Sequence, residues 1–263
     1  MLTSASVYDL EQAGNTEDIT FFRDAVLQLG GPVLELGCGT GRLTIPVAEG
    51  GIEVVGLDIS IDMLSRFRDK MQSLSENIKN NIAMVRGDIG RFTLKKIFQT
   101  IICSSNTLFL LESEAAIADA LNCMRSHLLP SGEFIIDVDA ISAETRLALA
   151  SYPHEDVADI AVMGKSGDEP LQRTHSIEVL GPSVANSETS LSRKRFRVSY
   201  KYRDPSGVIC ATRREDVLLL TPDELSRLIC EQGFEITEQF GWYDRRPFTP
   251  ADNKLLIIAR KKE

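Results

Sequence analysis

Residues 32–41 run Pro-Val-Leu-Glu-Leu-Gly-Cys-Gly-Thr-Gly, and no other stretch restricts the fold of this chain so tightly. Val33, Leu34 and Leu36 form a short apolar run with no helical period, which suits a strand buried on both faces of a parallel sheet. Gly37, Gly39 and Gly41 follow at alternate positions, where they permit positive φ and leave no Cβ against a ligand. Residues 42–48 then predict a helix, with Pro46 early enough to lose little hydrogen bonding. Strand, glycine turn and helix make a nucleotide-binding βα unit, whose ligand sits at the carboxyl end of the strand.

Glycine spacing separates two cofactors. A dinucleotide site uses GxGxxG, with helix N-terminal amides facing a pyrophosphate. Here the third glycine comes one residue early, giving GxGxG, and position 42 is arginine. A second buried strand, Val54-Val55-Gly56-Leu57-Asp58, ends in a carboxylate placed to accept hydrogen bonds from both hydroxyls of a ribose.

Residues 33–41 resemble motif I of the class I S-adenosylmethionine (SAM)-dependent methyltransferases. Leu57-Asp58-Ile59-Ser60 followed by Met63-Leu64 is similar to their second motif. Arg86-Gly87-Asp88-Ile89 resembles their third, whose acid faces the adenine amino group. The resemblance implies an α/β fold: a doubly wound, seven-stranded Rossmann-like sheet with its last strand antiparallel. It also implies SAM as cofactor and S-adenosylhomocysteine (SAH) as product. Cofactor contacts are then expected from Glu35, Gly37, Cys38, Gly39, Asp58, Ile59, Met63, Asp88, Ile89 and Ser104. Met63 either packs on the adenine or fills a gap in the core. Tyr8 matches an aromatic that in this family often touches cofactor or substrate; it also suits an ordinary amphipathic anchor.

Composition narrows the setting. The 263 residues suit one large domain or a domain with a sizeable insertion, and the 43% hydrophobic content is ample for a core. No run approaches the ~20 apolar residues of a membrane helix. Residues 1–6 lack a charged and an apolar region of the secretory kind, and five scattered cysteines show no CxxC spacing. A cytoplasmic protein with reduced thiols and no metal site is expected. The net charge of −9 disfavours a nucleic-acid partner, which would need a basic face.

Further along, a helix is expected over 17–29, capped by Thr16 and closed by Gly30. A fourth strand over 98–103 leads into Ser104, Asn106 and Phe109, and the resemblance places residues just past this strand beside the reactive methyl. Strand and helix alternate as far as Asp139, the layout of a parallel doubly wound sheet. Asp137 and Asp139, close at a strand end, are expected to hold amides or water rather than magnesium. From 143 to 220 the chain turns mostly β, so 1–142 with 221–263 is read as the SAM-binding domain and 143–220 as an inserted antiparallel lid or substrate subdomain.

In that insertion, residues 195–203 alternate apolar and polar, putting Phe196, Val198, Tyr200 and Tyr202 on one face. The other carries Arg195, Arg197, Lys201 and Arg203, with Arg213 and Arg214 nearby: a cradle for phosphate or RNA, or simply a solvated face. The apolar face predicts an enclosed pocket for a small acceptor, or a homodimer contact. Asn106, Phe109, Tyr200, Trp242 and Tyr243 are its expected substrate-side residues.

The expected reaction is in-line methyl transfer to a nitrogen or oxygen of a small metabolite. A weak candidate for a base is His154; His127, late in a helix, reads as exposed, and His175 lies in an alternating strand. A nicotinamide-dependent oxidoreductase and a non-catalytic SAM-binding protein are the competing readings.

Overall fold

The computed structural model describes residues 2–151, 154–162, 171–180 and 194–262, with 151 and 154–162 described through their backbone. In chain order, the first elements are α1 (Ser4–Glu11), α2 (Glu17–Leu29), β1 (Val33–Leu36), α3 (Thr44–Glu49) and β2 (Val54–Asp58). There follow α4 (Ile61–Gln72), α5 (Glu76–Lys79), β3 (Ile82–Arg86), β4 (Phe98–Cys103), α6 (Glu114–His127) and β5 (Leu128–Asp139). Next come α7 (Ala143–Ser151), β6 (His154–Val162), β7 (Leu171–Val179), β8 (Arg195–Arg203) and β9 (Ile209–Leu218). The chain ends with α8 (Pro222–Glu231), β10 (Phe234–Phe240) and β11 (Lys254–Lys261).

Two compact units result. Residues 15–140 and 222–263 form one. It holds a seven-stranded sheet in the order β10-β11-β5-β4-β1-β2-β3. All four residues of β1 are buried, and β1 runs parallel to β2 and β4. The final strand, β11, lies antiparallel to both β5 and β10. Because β10 therefore points the same way as β5, the connection from β10 to β11 leaves at the edge where β1, β2, β4 and β5 also end. Helix α2 has the expected span and Gly30 closes it at φ 93°, although Thr16 makes no side-chain cap. Phe21, Phe22 and Val26 of α2 pack with Leu43 and Val47 against Val33, Ile102 and Leu256. On the other face Phe67 of α4 is fully buried with Cys38 and Leu64. Burying a phenylalanine to that extent contributes about 2–3 kcal/mol.

Residues 1–14 and 141–221 form the second unit, built on an antiparallel sheet in the order β6-β7-β8-β9. The expected boundary put the N-terminus with the cofactor domain; here it joins the insertion instead. The cause is α1, capped by Thr3, whose Val7 and Leu10 pack with Tyr202 and Ala211. Glu11 at its end accepts hydrogen bonds from Arg173 at 2.5 Å, Arg213 at 2.7 Å and the Tyr202 hydroxyl at 2.8 Å.

Phe196 and Tyr202 are buried as expected from the alternation, while Val198 and Tyr200 are half-buried. One member of the basic face is corrected. Arg213 lies directly across from Tyr200, and cross-strand partners share a face, so it belongs with the rings. Its guanidinium carbon is 4.7 Å from the Tyr200 ring centre. Arg197, on the other face, forms a bidentate pair with Asp216 at 2.7 and 2.8 Å.

Candidate active site

At the end of β1 the backbone enters the left-handed region at Gly37, Gly39 and Gly41. The Gly37 and Cys38 N–H groups donate to the Leu57 carbonyl at 2.8 and 3.1 Å, stitching the turn to β2. Gly39 differs from its neighbours: a Cβ there would meet nothing nearer than the Gly37 oxygen at 4.0 Å. The space over that residue is therefore open. Its N–H donates to Asp58 Oδ2 at 2.8 Å, and the Ser60 N–H to Asp58 Oδ1 at 2.8 Å. Each carboxylate oxygen has a second lone pair, so Asp58 shapes the turn and still has acceptor capacity. Beside it Ile59 is 62% exposed, an unusual setting for an isoleucine. Met63 is half-buried, Ile89, Ser104 and Cys38 are buried, and Asp88 Oδ1 accepts from the Gly90 N–H at 2.9 Å.

Glu35 stands behind this turn. Only 2% exposed, it accepts a short hydrogen bond from the Thr44 hydroxyl. Burial pushes its carboxyl up to about 8 against the lowering effects of Thr44 and Arg42.

Past β4, Ser105 and Asn106 both have positive φ, 55° and 62°. Two such non-glycine residues in succession cost on the order of 1–3 kcal/mol each, so the surroundings must hold them. Asp137, fully buried at the end of β5, does so. Its Oδ2 accepts from the Ser105 N–H at 3.2 Å, and its carbonyl from the Asn106 N–H at 3.1 Å. The same Oδ2 accepts from the Tyr243 hydroxyl at 2.8 Å, while Lys254 Nζ lies 3.2 Å from Oδ1. Asn106 exchanges two hydrogen bonds with Asp139, at 2.7 and 2.6 Å, and Lys254 also reaches Asp139 at 2.7 Å. The two aspartates thus hold amides, as expected, but also a lysine and a phenol that the sequence did not suggest.

Arg42 links the glycine turn to this edge, pairing twice with buried Asp18 of α2 and lying 3.4 Å from the Ser105 hydroxyl. Burial, then the Asp137 charge, holds the Tyr243 phenol far above its usual range. Trp242 Nε1 donates to Glu17 at 2.7 Å. Asn106, Tyr243 and Trp242 are thus gathered at one edge. Phe109 is a correction: it sits in a short 3-10 turn (Thr107–Leu110) at 1% exposure, packed into the core with no face to offer.

Tyr8, on α1, and Tyr200 belong to the second unit; Arg173 and Arg213 flank the Tyr200 ring. His154 opens β6, and its side chain lies outside the described residues. His175 lies across from Tyr200, with ring centres 6.3 Å apart. His127 is corrected from exposed to 6% exposed. Its ring stacks on Phe92 at 4.6 Å, Nε2 accepts from the Leu94 N–H, and Nδ1 lies 2.8 Å from the Cys123 carbonyl.

Comparison with known proteins agrees with this layout. Residues 33–132 match the family described as Methyltransferase domain. Over 239 residues the chain is 32% identical to the cypemycin N-terminal methyltransferase of a Streptomyces species, spanning 89% of this chain and 84% of the relative. In fold it is similar to the CcbJ methyltransferase from Streptomyces caelestis, with TM-score 0.75, 20% identity and coverage of 94% and 90%. It is also similar to the glycopeptide N-methyltransferase MtfA in complex with SAH, with TM-score 0.60, 25% identity and coverage of 94% and 86%. The chain belongs to the class I SAM-dependent methyltransferases. It is an enzyme, and SAM is its cofactor; the oxidoreductase and non-catalytic readings are set aside. The residues present fit that cofactor: open space over Gly39, acceptor capacity on Asp58 and apolar surface at Ile59. Among the described residues, no helix is long and apolar enough to cross a membrane.

Asp58→Ala is expected to weaken SAH binding more than tenfold in calorimetry, with the fold intact by circular dichroism. The charge is lost along with the Gly39 tether, and a charge-assisted hydrogen bond is worth about 1.5–3 kcal/mol. Unchanged affinity would show that the ribose is held elsewhere.

Proposed function

We propose that this enzyme methylates an amine nitrogen, on a small metabolite or at the terminus of a peptide. The observation that carries the reading is that the acids and the phenol found around Asn106 and Trp242, among the described residues, are already engaged. Asp18 holds Arg42, Glu17 holds Trp242, Asp139 holds Asn106 and Lys254, and Tyr243 donates to Asp137. The one histidine of this unit, His127, is bound to Leu94 and Cys123. A hydroxyl acceptor needs its proton removed, whereas an uncharged amine attacks through its own lone pair. The printed names of the cypemycin N-terminal methyltransferase and the glycopeptide N-methyltransferase support the same choice.

When bound, SAM would supply an electrophilic methyl group carried on a sulfonium. What this chain contributes is alignment and a dry site. Asp58 would hold the ribose, Asp88 the adenine amino group, and Ile59 with Met63 the adenine ring. Gly37, Gly39 and Cys38 would pass beneath the methionine portion, with Glu35 supporting the turn from behind. Ile89 and Ser104 complete the proposed cofactor contacts. Asn106, Trp242 and Tyr243 are the proposed acceptor side.

The test is mass spectrometry of a metabolite and peptide pool incubated with enzyme and SAM. Products heavier by one methylene should come from amines, and prior acetylation of the amines should abolish them. Methylated hydroxyls surviving acetylation would overturn the nitrogen assignment. Tyr243→Ala should raise KM for the acceptor found, or lower kcat, without changing SAH affinity.

A further inference from the structure

The loop between β10 and β11 carries one cation that the site described above leaves unused. Arg245 has φ 64°, in the left-handed region that residues with a side chain seldom enter. Its guanidinium carbon lies 5.4 Å from the centre of the Phe21 ring and 6.0 Å from that of Phe240. Its neighbour Arg246 pairs with Asp244 and Asp252. Arg245 has no carboxylate within ion-pair reach among the described residues, and its Nη2 is buried without a hydrogen bond. The residue as a whole is half-buried.

Aromatic faces hold the plane of a guanidinium and attract its charge, but they satisfy none of its five N–H donors. An arginine oriented in this way, with donors left over, is prepared for a planar oxyanion that can accept two of them side by side. Its position relates it to the reaction. The Phe21 ring that supports Arg245 also touches Tyr243, 6.0 Å between ring centres, and Tyr243 is bonded to Asp137. Arg245 is thus one ring away from the network that holds Ser105 and Asn106. Net charge adds a reason: a chain at −9 repels anions in general, so an anionic acceptor would need a dedicated cation.

We propose that Arg245 binds an oxyanion of the acceptor, either carboxylate or phosphate, so that the substrate class is an amine that also bears an anionic group. This rests on the amine reading above and adds the group by which the acceptor is recognised. Asp244 and Asp252 neutralise Arg246, which leaves Arg245 as the member of the pair available to a ligand.

The experiment uses the full chain with saturating SAH, whose binding is confirmed first by calorimetry. Inorganic pyrophosphate and succinate are then titrated separately, with sodium chloride at matched ionic strength as control. Arginine side-chain N–H resonances are followed by NMR, with Arg245→Lys assigning the Arg245 signal. Saturable movement of that signal by either anion supports the proposal, and the tighter of the two identifies the group as phosphate or carboxylate. Calorimetry should show at least tenfold weaker anion binding in Arg245→Gln, with SAH affinity unchanged. Arg245→Lys, which keeps the charge without the fork, should fall between them. If chloride moves the signal as far as both anions, or Arg245→Gln binds them as well as the wild type, Arg245 is only a cover for Phe21 and Phe240. SAH failing to bind would instead count against the cofactor site, a separate result.

Discussion

Gly41→Ala is expected to destabilise the protein by about 2–4 kcal/mol, the sum of a left-handed backbone penalty and overpacking. Gly41 has φ 77°, and a Cβ there would lie 2.3 Å from two carbons of the Phe67 ring. That ring is fully buried, so it has little room to retreat. A loss of that size should lower Tm by roughly 5–15 °C in a chain this long. Gly39→Ala provides the contrast. Its φ is 53°, but the added methyl meets only an oxygen at 4.0 Å, so Tm should fall by less than half as much. The methyl would project into the space proposed for the cofactor, and SAH affinity should fall at least tenfold. Equal loss of stability in the two variants would mean that the space over Gly39 is not open in solution.

That contrast also shows how far local pattern carries. Three glycines at alternate positions announce a turn, and the flanking apolar strands announce its setting; both depend on residues near in sequence. The pattern did not distinguish the glycine that meets a helix ring from the one that faces open space, because Phe67 is twenty-six residues away. The class of sheet was legible for a related reason. Alternating buried strands and helices announce a parallel sheet, but the antiparallel last strand was implied by the resemblance alone, and β11 lies inside the sheet between β5 and β10.

Long-range polar partners were not legible. Glu11 meets Arg173 and Arg213 across 162 and 202 residues, so nothing local marked the N-terminal helix as part of the insertion. Arg213 was placed on the wrong face because a one-residue change of register across the hairpin exchanges the faces of a strand. His127 looked like a solvent residue near a helix end; it is buried because the 92–94 segment, far away in sequence, folds back on it. Lys254 could have been paired with Asp139 had the register of β11 on β5 been known, since the two are direct partners. Arg42 carried a local signal, its place directly after the glycines, but its partner Asp18 lies on a helix twenty-four residues earlier.

Glu35 leads to the last expected result, a dependence of stability on pH that a glutamine should remove. In the folded protein its carboxyl is raised from 4.5 to about 8, chiefly because burial disfavours the charge. Asp58 and Asp18 push in the same direction, while Thr44 and Arg42 oppose it. Between those two values the folded state keeps the proton and the unfolded chain releases it. Since the folded form then binds more protons, stability must fall as pH rises. The contribution is fully present below pH 4.5, is lost progressively up to about pH 8, and is constant above it. A shift of that size corresponds to roughly 3–5 kcal/mol across the window. Glu35→Gln keeps an acceptor for the Thr44 hydroxyl and cannot ionise. Urea unfolding at pH 5, 6, 7 and 8.5 should therefore show the variant gaining on the wild type by most of that amount as pH rises. Parallel stability curves would mean that Glu35 is already ionised when folded, in which case water or a cation must reach it beneath the glycine turn.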